Sequence, residues 1–331
     1  MRRRTFLTLG NEGINVSNAV AGDICLYNKS TQKLLIVGAA KFNITEYSSS
    51  QYSPIGVVVI PGSHNVYGDD SCAVISLKEM NYNTPDTGNT EYQQMCWGQY
   101  DVDISNMTDY NRVVSLGTMD SPPQTIVQDI KLNGFLPSDK GFTGNQCPHD
   151  MDTNYYSSTS SSYYYIPSPY LTDETRNPMY YQTSSPSSSA NALSDFDGVG
   201  NTKILTDLAT AQTNWKTASS ITNNGGSGYS PAACCCWRYH TKGTKQGDWY
   251  LPAMGELGDI MPKFNKIQQT ISTLTSAYGS TVGVQVLDNR YYWSSSKYGD
   301  YEARRVYTAS GVVNSLYKDS NVYVRAFLRV K

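Results

Sequence analysis

The chain has 331 residues, a formal net charge of −2 and charged side chains at only 16% of its positions. This length is sufficient for one large domain or two smaller ones, and since the basic residues do not gather into a positive field, nucleic acid is a poor partner. Tyrosine is unusually frequent, with 27 Tyr against 7 Phe. Such a composition is typical of a β-rich extracellular or virion surface, or of a dedicated binding surface.

The N-terminal part of the chain predicts a β-hairpin. The start, MRRRTFLTLGNEG, is basic but is followed by only about six weakly apolar residues, so we expect no signal peptide. We also expect no membrane span, because no run approaches the roughly 20 apolar residues that one needs. The runs GDICLYN and KLLIVGA then flank the turn-like NKSTQ. This hairpin is too short to form a core alone, so we predict that residues 1–48 form an N-terminal β attachment region that packs on a neighbour or on another subunit.

Residues 49–331 are predicted to form a second domain with a loop-rich insertion. Its first runs, SPIGVVVIPG and CAVISLKEM, are apolar and bounded by Pro and Gly, which predicts central strands. The insertion covers about residues 119–200, where stretches such as DTNYYSSTSSSYYYIPSPY lack periodicity. It is either a solvated insertion or a set of tyrosines that line a ligand surface or join subunits.

Two amphipathic helices are predicted after the insertion. In the first, Ile204, Leu205 and Leu208 share a face that continues to Trp215 and Ala218. The second covers about residues 253–278, and Pro262 is expected to kink or split it. From residue 284 onwards the sequence predicts short strands, with turns at YGD, SG and KDSN.

The seven cysteines predict neither a disulfide framework nor a metal site. Their number is odd, their spacing is irregular, and Cys234, Cys235 and Cys236 are adjacent. Zinc ligands are usually two to four residues apart, so we interpret these three as small buried hydrophobic residues in a strand. The three histidines lie in no triad-like context, and we predict no enzyme activity, catalytic residue or cofactor.

The stretch GDWYLPAMGELGDI resembles a block of C-type-lectin-like domains. The matching residues are Trp249, Leu251, Pro252, Glu256 and Leu257. The block is followed by YYWSSS, by SGVV around Gly311 and by VYVRAFLRV, in the family's order. The resemblance covers about residues 195–331 and implies an α+β, C-type-lectin-like fold in which these residues are scaffold. Glu256 is then a candidate partner for backbone amides. Formylglycine-generating enzymes share this fold and depend on a late cysteine pair, whereas no cysteine of this chain follows Cys236.

The C-terminal segment is also similar to the variable proteins of diversity-generating retroelements. In those proteins, adenine-rich codons yield Tyr, Asn, Ser and Asp on a fixed scaffold. The resemblance implies ligand-binding side chains at Tyr291, Tyr292, Lys297, Tyr298, Asp300, Tyr301, Arg304, Tyr307, Ser310, Asn314, Ser315, Tyr317, Asp319, Ser320 and Asn321. The alternating scaffold residues are Trp293, Ala303, Val306, Gly311, Val313 and Val324. The composition is that of an antibody-like binding surface, although Tyr and Ser also decorate exposed strands without binding anything.

These features together favour a displayed binding protein. We predict a bacteriophage virion protein of fibre or decoration type, attached to other virion proteins through its N-terminal region and binding a host cell-surface glycan or protein. By analogy with phage fibres it is a homotrimer. The alternatives are a structural capsid or tail protein whose Tyr-rich loops make subunit contacts, and a bacterial surface adhesin.

Overall fold

The computed structural model describes residues 13–64, 67, 70–88, 93–98, 156–157, 162–163, 196–208, 214–223, 230–279, 287, 289–298, 302–308 and 311–331. In these ranges the strands are β1 (Ile24–Asn28), β2 (Lys33–Val37), β3 (Tyr52–Ile60), β4 (Cys72–Glu79), β5 (Met95–Cys96), β6 (Tyr156–Ser157), β7 (Ser162–Tyr163), β8 (Trp249–Tyr250), β9 (Tyr291–Tyr298), β10 (Glu302–Tyr307), β11 (Val312–Tyr317), β12 (Asn321–Val322) and β13 (Arg325–Val330). The α-helices are α1 (Gly198–Leu208), α2 (Pro231–Arg238), α3 (Met254–Gly258) and α4 (Phe264–Tyr278). Short 3₁₀ helices cover Val16–Asn18, Ala39–Lys41, Gly62–His64 and Met261–Lys263. The protein is therefore sheet-rich with few helices, as the α+β prediction requires.

A six-stranded antiparallel sheet forms the centre, in the order β2-β1-β3-β4-β13-β8. The predicted hairpin is confirmed as β1 and β2, and the predicted central strands are β3 and β4. Strand β1 pairs with β3 as well as with β2. The sheet therefore crosses the division predicted at residue 48, and the hairpin packs on its neighbour in the same chain.

Both faces of the central sheet are covered. Along β1, Ile24 and Leu26 point into one apolar cluster while Cys25 points into the other, as the alternation of a strand requires. The α4 side chains Ile267 and Ile271 belong to the first cluster, and α2 packs into the second. Burial on both faces explains why the sequences of the central strands β3 and β4 are almost continuously apolar.

The prediction of a strand at Cys234–Cys236 is wrong, because these residues lie in α2. Ser230 caps this helix by accepting a hydrogen bond from Ala233 N at 3.1 Å, and Pro231 occupies its first turn. These are local helix-start signals that outweigh the cysteines' strand preference. The predicted burial is confirmed, with all three cysteines at 0% exposure. Among the described residues, no three His, Cys, Asp or Glu side chains are grouped so as to hold a metal ion.

The helix prediction for residues 253–278 is confirmed, with the split at Pro262: α3 is followed by the Met261–Lys263 3₁₀ turn and then by α4. The first predicted helix is shorter than expected. Trp215 and Ala218 lie in a turn that begins at Asn214, whose φ of 78° is incompatible with an α-helix. No helix in the described ranges is both long enough and apolar enough to cross a membrane.

The remaining strands form small sheets. Strands β11, β10 and β9 form an antiparallel three-stranded sheet in that order, β12 pairs with β5, and β6 pairs with β7. The predicted C-terminal strands are thus confirmed. Most of the predicted insertion at about 119–200 lies outside the described residues.

Candidate ligand-binding surface

The serines after Trp293 fix β9 to the start of α3. Ser295 N donates to Pro252 O at 2.7 Å, and Met254 N donates to Ser296 Oγ at 3.0 Å. Ser294 Oγ donates to Arg304 O at 2.9 Å, which ties β9 to β10. These serines are buried, so their hydroxyl groups serve the scaffold and the small sheet is held rigidly.

Glu256 supports the same junction from inside the core. Its carboxylate accepts hydrogen bonds from Tyr67 Oη at 2.7 Å, Tyr250 Oη at 2.8 Å and Ala253 N at 2.7 Å. The last bond confirms the prediction that Glu256 binds a backbone amide. Burial, reinforced by the nearby carboxylate, raises the pKa of Tyr67 and Tyr250 well above the usual value, so both remain hydrogen-bond donors.

Four side chains gather on one face of the three-stranded sheet. The rings of Tyr291 and Tyr307 stack with their centres 4.7 Å apart, and the Arg305 guanidinium carbon lies 3.9 Å from the centre of the Tyr291 ring. Arg305 Nε donates to Asn314 Oδ1 at 2.8 Å. The register pairs Tyr307 with Tyr291 and Arg305 with Asn314 across three strands. We call Tyr291, Arg305, Tyr307 and Asn314 the Arg305 platform.

The platform presents preorganised polar and aromatic groups. All four side chains are half-buried, so each is held by neighbours and still reaches solvent. Partial burial lowers the pKa of Arg305, whereas the charges of Tyr291 and Glu302 act to raise it. The guanidinium group nevertheless remains charged at neutral pH. A fixed cation, two amphipathic rings and an amide suit hydroxyl-rich or anionic ligands.

Other predicted binding residues lie at the far end of the sheet. Tyr317 ends the edge strand β11 at 50% exposure, and Ser315 Oγ donates to Glu302 Oε2 at 2.7 Å. By strand alternation, Ser315 and Tyr317 face away from the platform. Asp319, Ser320 and Asn321 follow in the next turn and at the start of β12. Tyr291, Tyr307 and Asn314 thus lie on one face of the β9–β11 sheet, and Ser315 and Tyr317 lie on the other.

Two residues expected on the surface are buried. Tyr292 is 2% exposed and donates from its hydroxyl to Glu79 Oε1 at 2.9 Å, and Arg304 is 5% exposed. Their predicted outward positions are wrong, because both follow Val306 onto the inner face. Lys297 and Tyr298 belong to β9, but their side chains are not among those described, and Asp300, Tyr301 and Ser310 lie outside the described residues altogether. All six predicted scaffold residues, Trp293, Ala303, Val306, Gly311, Val313 and Val324, are buried as expected.

Arg305 is the platform residue that the sequence prediction missed. Strand alternation could have found it, because Val306 was assigned to the inner face. Arg304 and Val306 cannot lie on opposite faces of one regular strand, whereas Arg305 and Tyr307 share the outer face. A second cation–ring pair, Arg290 at 4.5 Å from the centre of the Tyr323 ring, was also missed.

The comparisons with known proteins do not assign a family. The chain matches no protein-family model and no curated protein. Among solved structures it is similar to a fimbrial protein from Bacteroides ovatus ATCC 8483, at 14% sequence identity and a TM-score of 0.44. The match covers 94% of this chain and 48% of the fimbrial chain, so this chain spans about half the length of that protein. A likeness at this TM-score defines neither the fold nor the function.

Proposed function

We propose that this protein is a non-enzymatic binding protein that holds a host cell-surface glycan or protein through its β9–β11 sheet. The observation that carries the proposal is the Arg305 platform. In it, Tyr291 stacks on Tyr307, and Arg305 contacts the Tyr291 ring and donates a hydrogen bond to Asn314. These contacts fix side chains that solvent still reaches. Rigid aromatic anchors reduce the side-chain entropy lost on binding.

The way the platform is supported agrees with this role. Val306 and Val313 are buried on the opposite face of the sheet, Trp293 is buried beside Arg305 on the platform face, and the Ser294–Ser296 hydroxyl groups are used internally. The scaffold is therefore separate from the side chains that can vary. This separation is the arrangement expected of a C-type-lectin-like domain related to retroelement-diversified proteins, and we include that relationship in the proposal.

For the carrier, we propose a phage particle, with the N-terminal region contacting other virion proteins in a homotrimer. A bacterial surface adhesin would use the same binding surface from a different location. The two carriers are distinguished by the genomic surroundings. Phage structural genes, or a reverse transcriptase beside an adenine-rich near-copy of codons 289–323, would support the proposal, and fimbrial assembly genes would support the adhesin.

The binding function is tested with labelled full-length protein on a panel of bacterial strains. Each strain is presented untreated, after periodate oxidation of its glycans, and after surface proteolysis. We expect saturable binding to some strains that one of the two treatments removes, which also identifies the ligand as a glycan or a protein. The proposal would be contradicted if none of the strains in the panel shows saturable binding.

A further inference from the structure

A second candidate site lies where the central sheet splits. Strands β3 and β4 pair as far as Gly56 and Ser76, and each then continues beside its other neighbour, β1 for β3 and β13 for β4. A cleft of about 650 Å³ occupies this end of the sheet, lined by residues 52–55 of β3 and 77–78 of β4. Residues 239–242 after α2, Tyr278 of α4 and the loop residues Lys29, Ser49 and Thr87 complete the lining. Its volume falls within the roughly 300–1,000 Å³ typical of small-molecule sites.

The charged residues that line this cleft are all basic. Lys29, Lys78, Lys242 and His240 are among the lining residues, and no Asp or Glu is. His240 Nδ1 lies 3.1 Å from Arg238 O and donates to it, which leaves Nε2 as the ring nitrogen available to a ligand. The lining also contains the hydroxyl-bearing residues Ser49, Ser53, Thr87 and Thr241. The cleft therefore combines positive charge with hydroxyl-bearing side chains.

Lys78 is the most informative of these cations. It is half-buried, and burial lowers its pKa with no opposing contribution from a carboxylate of the described residues. Asp86, a carboxylate close to His240, has its main hydrogen bonds from Arg238, with contacts of 2.7 and 2.9 Å, and these lower its pKa. A partly desolvated ammonium group in a cleft lined by cations is stabilised by an anion that enters the cleft.

We propose that this cleft binds an acidic saccharide unit, a pyranose that carries a carboxylate. The lysines and His240 face the carboxylate, and the hydroxyl-bearing residues bind the sugar hydroxyl groups. The cleft shares no lining residue with the Arg305 platform. The inference thus goes beyond the proposed function and does not depend on it.

The test uses full-length protein and digalacturonic acid as the probe, with its neutral dimethyl ester as the matched control ligand. Binding is measured by titration calorimetry at low salt. We expect the acid to bind at millimolar or better affinity and the ester about tenfold more weakly, because charge-assisted hydrogen bonds are lost. Inorganic sulfate should compete with the acid, and added salt should weaken binding.

Variants locate the site and separate it from the platform. Lys78→Gln and the double variant Lys29→Gln with Lys242→Gln should each weaken binding of the acid about tenfold. Lys33→Gln, at an exposed lysine on β2 outside the cleft, should leave it unchanged. A loss of acid binding in Tyr307→Ala together with wild-type binding by the lysine variants would place the acid on the platform and overturn the proposal. Thermal unfolding of each variant confirms that it is folded. The proposal is overturned if the acid does not bind at millimolar concentrations, if the ester binds equally well, or if the folded lysine variants bind like the wild type.

Discussion

The Arg305 guanidinium lies 3.9 Å from the centre of the Tyr291 ring, on the face of the small sheet where Tyr307 also stacks on Tyr291. This contact holds a long, flexible cation in place beside two rings. Because the partners are only half-buried, the ordering is achieved without closing the surface to a ligand. Binding should therefore depend on this contact, and stability on the buried groups that support it.

Replacing Arg305 with Lys should reduce ligand binding while leaving the fold intact. Lysine keeps the charge but loses the planar stacking on Tyr291 and the Nε bond to Asn314. We expect about tenfold weaker binding to cells and a change in unfolding free energy of no more than about 1 kcal/mol. Arg290→Lys, at the cation–ring pair with Tyr323, is the matched control and should bind normally. If Arg305→Lys binds cells as tightly as Arg290→Lys, the Arg305 contact does not contribute to ligand binding.

Replacing Glu256 with Ala should be strongly destabilising. The substitution leaves Tyr67 Oη, Tyr250 Oη and Ala253 N without their acceptor in a fully buried position. We expect a loss of about 3–5 kcal/mol in a urea unfolding experiment. The half-exposed Glu302 provides the control, since Glu302→Ala should cost less than about 1 kcal/mol. Similar losses for the two variants would show that the buried network contributes little.

The described cysteines should resist alkylation in the folded protein. Burial raises the pKa of Cys72 and Cys96 to about 12, and it raises the pKa of Cys234, Cys235 and Cys236 as well. A raised thiol pKa keeps the reactive thiolate scarce at neutral and mildly alkaline pH. Iodoacetamide labelling followed by peptide mass spectrometry should therefore modify these cysteines only after denaturation. Rapid labelling of the α2 cysteines in the native protein would refute their burial.

The Asp86–Arg238 pair should stabilise the protein in a pH-dependent way. The hydrogen bond from Arg238 is the main cause that lowers the pKa of Asp86, and burial opposes it. A lowered carboxyl pKa contributes stability that is complete above the unfolded value of about 3.9 and is lost as the pH falls through the folded value. Asp86→Asn should therefore be destabilising at neutral pH, and its difference from the wild type should shrink below about pH 4.

The Asp86 measurement is a series of urea unfolding curves from neutral to acid pH. Asp319→Asn, at an exposed aspartate, is the control and should leave neutral stability unchanged. If the difference between Asp86→Asn and the wild type grows towards acid pH, the pKa of Asp86 is not lowered by folding and the ion pair does not stabilise the protein.

Local sequence signals predicted the elements that depend on short-range pattern. The hairpin of β1 and β2, the central strands and the helix split at Pro262 all follow from apolar periodicity and from Pro and Gly positions. The three cysteines, which burial and spacing alone place in a strand, lie in a helix that begins at the Ser230 cap and Pro231. The Ser-Pro pair in the sequence is therefore the local signal that predicts this helix.

The candidate sites were less predictable because they depend on contacts between distant residues. The burial of Tyr292 follows from Glu79, which lies 213 residues earlier in the chain. The basic cleft forms only where β3 and β4 part and residues after α2 close over them. Composition indicated a tyrosine-rich binding surface, but strand alternation was needed to choose Arg305 over Arg304.

The most direct test of the central claim compares platform variants on a strain that the wild-type protein binds. Tyr307→Ala removes the ring that stacks on Tyr291, and Tyr317→Ala removes the exposed ring at the opposite end of the sheet. Ile44→Ala, at an exposed apolar residue outside this sheet, is the control. We predict that Tyr307→Ala weakens cell binding about tenfold or more, that Tyr317→Ala has a smaller effect, and that Ile44→Ala has none. Wild-type binding by both folded tyrosine variants would contradict the claim that the β9–β11 sheet is the binding surface.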